Sequence, residues 1–496
     1  MRLALWTTSG TDYAVSMRIL VGVGGFLWFC MAACVGDDPV GSVPAGSSSG
    51  GPDSGLGGSS GAGPNDPDAS QPDGAVDPQL LRAVSVSAGA SHTCAVLEGG
   101  GVACWGSNAN GELGSPATSL GASSVPVRVS LSARATQVTA GDRFTCAVLE
   151  SGKVDCWGNN EFGQLGRVPL GPAGGVGEVV EPPADTRGPW KTPIVLSAGS
   201  SHVCATVPGA YAIPIGAVVN YGWCWGKNSA RQLLRDTNFA LSAEPLLAAL
   251  DGTEAPVYAD TVVSGADFSC AKAHLPFPSG AVARGIQCWG ANGKHQLGKA
   301  LDAPNTFLGQ PARSGDPYLP NPTLLTAGAV HACAVADAVG GGTALYCWGD
   351  GSNGAIGTVT STDASGAPHE VTGVEAAAIT HLAAGGNDTC IVAAGIVRCM
   401  GAGQSGQLGD GTLDANPHPT WSTVDVPPTV SSLSVGGEHV CAVFGGAARQ
   451  PGDVRCWGAN RAGQLGDGLD LNAGYADSPE QKFIRATPVS VRAARP

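Results

Sequence analysis

Residues 141–166 read GDRFTCAVLESGKVDCWGNNEFGQLG, with Cys146 and Cys156 ten positions apart, a Cys-Trp-Gly and a closing Gly-Gln-Leu-Gly. Such a cysteine pair has three readings: a metal knuckle, a redox site or a structural staple. Nearly the same string recurs along the chain, so the reading that holds here holds for most of the protein.

Fourteen of the 16 cysteines fall into seven pairs: Cys94 with Cys104, Cys146 with Cys156, Cys204 with Cys224, Cys270 with Cys288, Cys333 with Cys347, Cys390 with Cys399 and Cys441 with Cys456. First members of successive pairs lie 51 to 66 residues apart. Each has a glycine five positions earlier: Gly89, Gly141, Gly199, Gly265, Gly328, Gly385 and Gly436. Each second member opens a Cys-Trp-Gly, except Cys399, which Met400 follows. A Gly-x-Leu-Gly turn comes next, as at 111–114, 163–166, 406–409 and 463–466, drifting to ARQLL in the third copy and NGAIG in the fifth. Seven copies in phase are the signature of a repeat architecture.

Within a copy, TCAVLE and KVDCWG flank a Ser-Gly turn and predict a β-hairpin. A third strand is read in runs such as ATQVTAG, and a fourth in the proline-led runs VPVRV, TPIVL and EPLLA upstream of it. Four short strands repeated seven times predict an all-β fold, a seven-bladed β-propeller of four-stranded antiparallel blades. The first copy begins near Leu81 without a proline-led run, whereas ATPVSV, 486–491, follows the last copy with no hairpin after it. The C-terminal strand is therefore expected to supply the strand missing from the first blade, closing the ring and removing free sheet edges.

The cysteine spacings of 9 to 20 do not match zinc sites, whose cysteines pair two to four residues apart, nor a Cys-x-x-Cys redox motif. Opposed residues on antiparallel strands lie within disulfide reach, and hairpin insertions change the spacing without changing the partner. Seven cross-strand disulfides are expected on these pairs. His92, His202, His331 and His439 recur at one position, where the other copies carry Phe144, Phe268 and Asp388; a packed residue beside a turn is expected. The tryptophans recur once per blade and are read as inter-blade packing. Asp410, Asp414, Asp467 and Asp470 follow the turns without the ligand spacing of an EF-hand and are read as solvated loop acids. No nucleophile elbow, phosphate loop or zinc-protease helix motif is present.

The string aGxxHtCAv…G.v.CWGxNxxGQLG, over residues 81–491, resembles the repeat of the regulator of chromosome condensation family. His92, His202, His331 and His439 match the family's histidine, and Trp105, Trp157, Trp225, Trp289, Trp348 and Trp457 its tryptophan. The resemblance implies a seven-bladed propeller. The family's founding member is a nuclear exchange factor for a small GTPase that also binds chromatin; no motif here matches an exchange-active loop. Bacterial relatives with this fold are mostly exported, and some resemble secreted inhibitors that bind a protein through one propeller face.

Glycine is abundant at 75 residues, charged residues make up 13%, and the net charge is −14. That balance, with no Lys/Arg run, excludes a DNA-backbone binder. Residues 17–34, MRILVGVGGFLWFCMAAC, place Arg18 before an apolar run at 19–29 that is too short to span a bilayer. The closing MAAC resembles a lipobox with Cys34 as the lipidated residue, and Met1 and the residues up to 16 lack signal character, which leaves Met17 as an alternative start. Residues 35–79 are Gly, Ser, Pro and Asp with almost nothing to bury, the composition of a flexible tether. The expected organisation is a signal segment over 1–34, a disordered linker over 35–79 and the propeller over 80–496.

Function is expected where the copies differ. Insertions at 167–191, with Trp190, and 299–322, with Phe307 and Tyr318, are placed on the face of the Gly-x-x-His turns; the longer cysteine hairpins, one with Tyr211, are placed on the other. Aromatics in such loops suit recognition of a protein or glycan. The reading is a non-catalytic, monomeric, lipid-anchored scaffold of the bacterial cell envelope, outer-membrane-anchored and facing periplasm or surface, with no cofactor, no metal and no nucleic-acid partner. The alternatives are a lyase or hydrolase with its site at the central channel and, behind it, an exchange factor.

Overall fold

The computed structural model describes residues 80–115, 121–181, 193, 195–212, 218–235, 240–248, 257–276, 282–299, 319–360, 366–445, 451–469, 471 and 484–492. Within them the chain forms seven antiparallel blades. Blade one shows the plan: an inner strand Arg82–Ala88, a cysteine hairpin His92–Leu97 and Val102–Ser107, and an outer strand Ala122–Val129, hydrogen-bonded in chain order. The remaining blades run over 135–178, 195–247, 259–290, 324–370, 379–423 and 430–490. Blade four has three described strands.

All seven cysteine pairs are disulfides between directly opposed residues of the two central strands. Cys94 bonds Cys104, Cys146 bonds Cys156, Cys204 bonds Cys224 and Cys270 bonds Cys288. In the last three blades Cys333 bonds Cys347, Cys390 bonds Cys399 and Cys441 bonds Cys456, so every pairing is the one the spacing predicts. Their Cα atoms stand 4.1 Å apart in six blades and 4.0 Å in the fourth. That is the close spacing of a non-hydrogen-bonded antiparallel pair, which brings the two β-carbons within reach of a disulfide. The register explains the variable spacing. Cys204 and Cys224 stay opposed although 20 residues separate them, because the strands His202–Ala212 and Val218–Lys227 simply extend beyond the bridge. Cys270 and Cys288 are 18 apart for the same reason, on the long strands Phe268–Pro276 and Val282–Gly290.

The structure corrects one expectation. The proline-led run closes the blade before it, not the blade after it, so the first blade lacks nothing. Ala122–Val129 pairs with Val102–Ser107, and the C-terminal strand Ile484–Ser490 pairs with Gly452–Ala459 as the outer strand of blade seven. The TPIVL reading is corrected too: Val195 and Leu196 belong to the inner strand of blade three, and Gly174–Glu178 is the outer strand of blade two. Proline explains the arrangement, because a residue without an N–H is tolerated on an edge or at a bulge. Pro126, Pro245 and Pro488 all sit in outer strands where the register breaks between the Cys and Gly of Cys-Trp-Gly.

The chain ends nevertheless meet, and the C-terminal strand closes the ring. Leu81 donates its N–H to Val491 O at 2.9 Å, Leu80 bridges Arg492, and Arg82 and Ala83 pair with Asp453 and Gly452. Leu81, Trp105, Cys456, Leu465 and Val491 share one core cluster.

That cluster typifies the core, which lies between blades rather than within them. Cys94, Cys104, Leu113 and Val129 of blade one pack on Leu149 and Trp157 of blade two. Cys288 of blade four likewise packs with Trp348 of blade five, and Cys347 of blade five with Met400 of blade six. The six Cys-Trp-Gly indoles are fully buried in such seams. Each removes about 200 Å² from water, on the order of 5 kcal/mol before entropy is charged.

Deleting residues 484–496 is expected to leave an insoluble or unfolded chain, since it strips the edge of blade seven and the buried Val491; a soluble product with unchanged far-ultraviolet dichroism would show that the ring closes without that strand. Replacing Cys146 and Cys156 together by alanine opens a loop of sequence separation 10 and should cost about 3 kcal/mol in denaturant unfolding.

Candidate functional site

The inner strands end on one face of the ring. There Ser107 donates its N–H to Ser91 O at 2.8 Å and Asn159 to Arg143 O at 2.8 Å. These bonds put the Gly-x-x-His turns and the Gly-x-Leu-Gly loops on the same face, as the sequence reading expects. The seven strand ends enclose a central space of about 250 Å³, lined by three residues from each strand. The lining is Gly, Ala and Ser with one valine, and Asp142 is the only ionisable side chain among these described residues.

The repeat glycine of each blade serves close approach rather than a special φ, whereas the neighbouring Gly386 has a positive φ of 44°. A Cβ on Gly89 would collide with the His92 ring and with Gly141 O of the next blade.

Against the repeat glycine of six blades lies the His or Phe of a variable slot, which holds Asp388 in blade six. His92 Nε2 lies 2.8 Å from Thr145 Oγ1 of the next blade, His202 2.9 Å from Ser269, His331 2.9 Å from Thr389, and His439 2.8 Å from Thr93 across the closing seam. The threonine hydroxyls pass their protons on: Thr93 to Gln464 O at 2.9 Å, Thr145 to Glu112 O at 3.3 Å and Thr389 to Ala355 O at 2.7 Å. With that proton committed, the threonine oxygen accepts, and His92, His331 and His439 donate through Nε2–H. The other ring nitrogen then carries a bare lone pair, and the Nδ1 atoms of all four histidines have no partner.

The slots are matched across seams. Where the slot is Phe144 or Phe268, the facing position in the next blade is Val203 or Ala332 and the pair joins an apolar cluster. Asp388 breaks the match: it stands opposite the Val440 position, is fully buried, and both carboxylate oxygens lack a partner. Burial holds its carboxyl well above the ordinary carboxylate range, although Ala402 N–H and Gln407 lie close enough to favour ionisation.

The same turn carbonyl also receives the tryptophan. Trp105 Nε1 donates to Gln464 O at 2.9 Å, Trp157 to Glu112 O at 2.7 Å, Trp225 to Gln164 O at 3.0 Å and Trp457 to Gln407 O at 3.0 Å, each reaching the preceding blade. Asn and Gln hold the turn in shape: Asn160 Oδ1 accepts from Leu165 N at 2.9 Å and Gln164 Oε1 from Phe162 N at 2.9 Å.

Sequence reasoning placed binding on Trp190, Phe307 and Tyr318, which lie outside the described residues, as does the side chain of Tyr211 on the strand His202–Ala212. Cys34 and Asp470 also lie outside. Asp410 is held by Thr412, Asp414 by Asn416, and Asp467 pairs with Arg485 at 3.2 Å. Among the described residues no group of three His, Cys, Asp or Glu converges as a metal site. What the sequence reading missed is an apolar tip after the second Gly-x-Leu-Gly, at 163–166. Val168 is 72% and Leu170 45% exposed. Asn160 Nδ2 fixes the loop beneath them, donating to Arg167 O at 2.8 Å and Pro169 O at 2.9 Å. The signal was a Val-Pro-Leu run directly after the turn, in a segment read only for its tryptophan.

These features define a seven-bladed repeat propeller. Family models described as the regulator of chromosome condensation (RCC1) repeat match residues 83–112 and 135–164, and residues 99–148. These matches support an RCC1-repeat β-propeller. It is 28% identical over 214 residues to the bovine secretion-regulating guanine nucleotide exchange factor, covering 40% of each chain. It is 26% identical over 340 residues to the Arabidopsis thaliana ultraviolet-B receptor UVR8, covering 68% of this chain and 67% of that one. The chain thus spans two fifths of the length of the first of these relatives. The crystal structure of human WBSCR16 superposes with a TM-score of 0.58 at 17% identity, covering 75% of this chain and 89% of the other, and shows the shared fold.

Thr145→Val alone should cost about 2 kcal/mol by leaving the buried His92 Nε2–H without an acceptor. Combining it with His92→Phe, which copies the Phe144–Val203 pair, should restore most of that stability in denaturant titrations. Acid is the second test. Burial lowers His92, His202 and His331 to about 4 and His439 to about 3. Their folded values lie below the unfolded one, so the unfolded chain takes up protons first. Stability should be full above pH 6.5 and fall between about 6.5 and 4, by as much as ~1.4 kcal/mol per pH unit for each histidine. Asp388, raised instead, holds its proton more tightly in the folded chain, so it gains stability as pH falls from its raised value to the ordinary carboxylate range and offsets part of the histidine loss there.

Proposed function

We propose that the chain is an exported, non-catalytic scaffold that binds a protein partner through the face carrying the Gly-x-Leu-Gly loops. The apolar tip Val168–Pro169–Leu170 carries this reading: it is exposed, yet built on side-chain hydrogen bonds from Asn160, so little ordering entropy is lost when a partner covers it. The insertions holding Trp190, Phe307 and Tyr318 start from the same face and would widen the surface, with Tyr211 on the opposite hairpins. A glycan is the other ligand class that aromatic loops of this kind would take.

Seven buried disulfides fit an oxidising compartment. We assign residues 1–34 to export, Cys34 to lipid attachment, 35–79 to a tether and 80–496 to the propeller, placed at a bacterial envelope. A reduced, cytosolic exchange factor fits these cysteines poorly, although one relative bears that name.

Envelope extracts passed over the immobilised protein should yield a partner that Val168→Asp with Leu170→Asp no longer captures, at an unchanged melting temperature. Capture that survives both substitutions moves the interface elsewhere. Metabolic labelling with a fatty acid should be lost in Cys34→Ser; labelling that persists in that variant would refute the anchor.

A further inference from the structure

Three kinds of polar link recur between neighbouring blades on the channel side, and among the described residues one seam lacks them all. The first is the His–Thr/Ser bond described above. The second is a hydroxyl on the inner strand that accepts the next blade's backbone N–H. Ser87 accepts from Ala140 at 3.0 Å, Thr139 from Ala198 at 3.1 Å, Ser197 from Ser264 at 2.9 Å, Thr326 from Ala384 at 2.9 Å and Ser434 from Ala88 at 2.9 Å. The third is a bond between backbones at the channel rim, as from Ala266 N to Ala329 O at 3.1 Å and from Gly437 N to Gly89 O at 3.1 Å.

Between blades six and seven the slot holds Asp388 against Val440, and Ala383 stands at the hydroxyl position. No rim bond joins Gly386 to Gly437. The backbones come close there, since a side chain on Gly385 or Gly386 would strike the Val435 or Gly437 carbonyl, but they touch without bonding. Polar contact survives at the far end of the two inner strands, where His381 approaches the Ser431 backbone, and on the surface, where Ser405 donates to Glu438 at 3.3 Å. The outer half of the seam is intact, with Trp457 Nε1 on Gln407 O at 3.0 Å, and Leu408, Val424 and Phe444 share a cluster that on the channel side takes in Ala383, Val435 and Val440. The seam where the chain ends meet is the opposite case. It has all three links, a second hydroxyl bond from Val86 N to Ser432 Oγ at 3.2 Å, and the Arg82–Asp453 ion pair.

We propose that the ring has a hinge between blades six and seven, where the inner strands Ile379–Gly385 and Val430–Val435 part on the channel side while the outer half stays closed on Trp457. Parting breaks none of the three channel-side links and lets water reach a carboxyl that the closed ring leaves without a partner. The channel then widens at one known place, and the chain ends stay shut. The hinge does not depend on the identity of any partner.

The test is thiol reactivity in the full-length oxidised protein, read by peptide mapping so that Cys30 and Cys34 are scored apart. Val440→Cys and Val203→Cys put the same thiol at the same buried position in seams six–seven and two–three. A native-state labelling rate at least about tenfold faster at 440 than at 203 is expected, with little dependence on denaturant, as for a local opening. Adding Ala383→Ser should slow labelling at 440. Equal rates, or labelling at 440 only on global unfolding, would overturn the hinge. Because a seam thiol can disturb folding, a second variant stands alone: Asp388→His with Val440→Thr and Ala383→Ser should raise the thermal midpoint by several degrees, and an unchanged or lower midpoint refutes the weak seam.

Discussion

The backbone carbonyl at the second position of each Gly-x-Leu-Gly turn points into the next blade, and the ring is organised by what meets it there. At Gln464 O the indole of Trp105 and the hydroxyl of Thr93 both arrive at 2.9 Å. An unpaired carbonyl in so apolar a seam would cost more than any single contact around it. The turn must therefore be held in one shape, which Asn460 does by accepting from Leu465 N at 3.0 Å, and the next blade must carry its donors at fixed positions. The motif's Asn, Gly, Leu and Trp are four requirements of that one bond. Blade six shows the tolerance: Met400 replaces the indole, and Ala355 O is left with Thr389 at 2.7 Å.

Division of labour follows. Disulfides staple each blade internally, between strands that would pair in any case, whereas hydrogen bonds and apolar clusters join blades to one another. A blade alone would expose the face that its neighbour covers. Stability is therefore a property of closed seams, as in other repeat proteins whose units contact only their neighbours. The matched slots extend this logic to specificity. His92 fits Thr145 and Phe144 fits Val203, so exchanging blades out of order would set a polar side chain against an apolar one.

The parts of this structure that repeat were legible in the sequence. Cys146 and Cys156 announced a cross-strand bridge because seven spacings varied while the pairing did not, and the glycine five residues before each first cysteine recurred in phase, although its place in the channel wall came only from the structure. Even Cys270 with Cys288 and Cys441 with Cys456, whose hairpins are lengthened, followed the same rule. The phase of the blade was not legible. A proline-led strand lies between two hairpins and can join either, and only the bulge opposite Trp105 shows why it joins the earlier one. Partners across seams were hidden as well: nothing in the run around His439 points to Thr93, 346 positions away. Val168 and Leu170 escaped notice because an exposed apolar pair is recognised by what surrounds it, not by its spacing.

Each blade is one unbroken run of chain, and Leu80 and Arg492 lie side by side. A ring of that kind has no structural beginning. Joining the two ends and cutting between any other pair of blades would give a circular permutant with every seam intact. The surface-facing segments that follow the hairpins then become interchangeable points of attachment, and the direction from which such a domain is hung becomes a matter of where the gene starts rather than of how the protein folds.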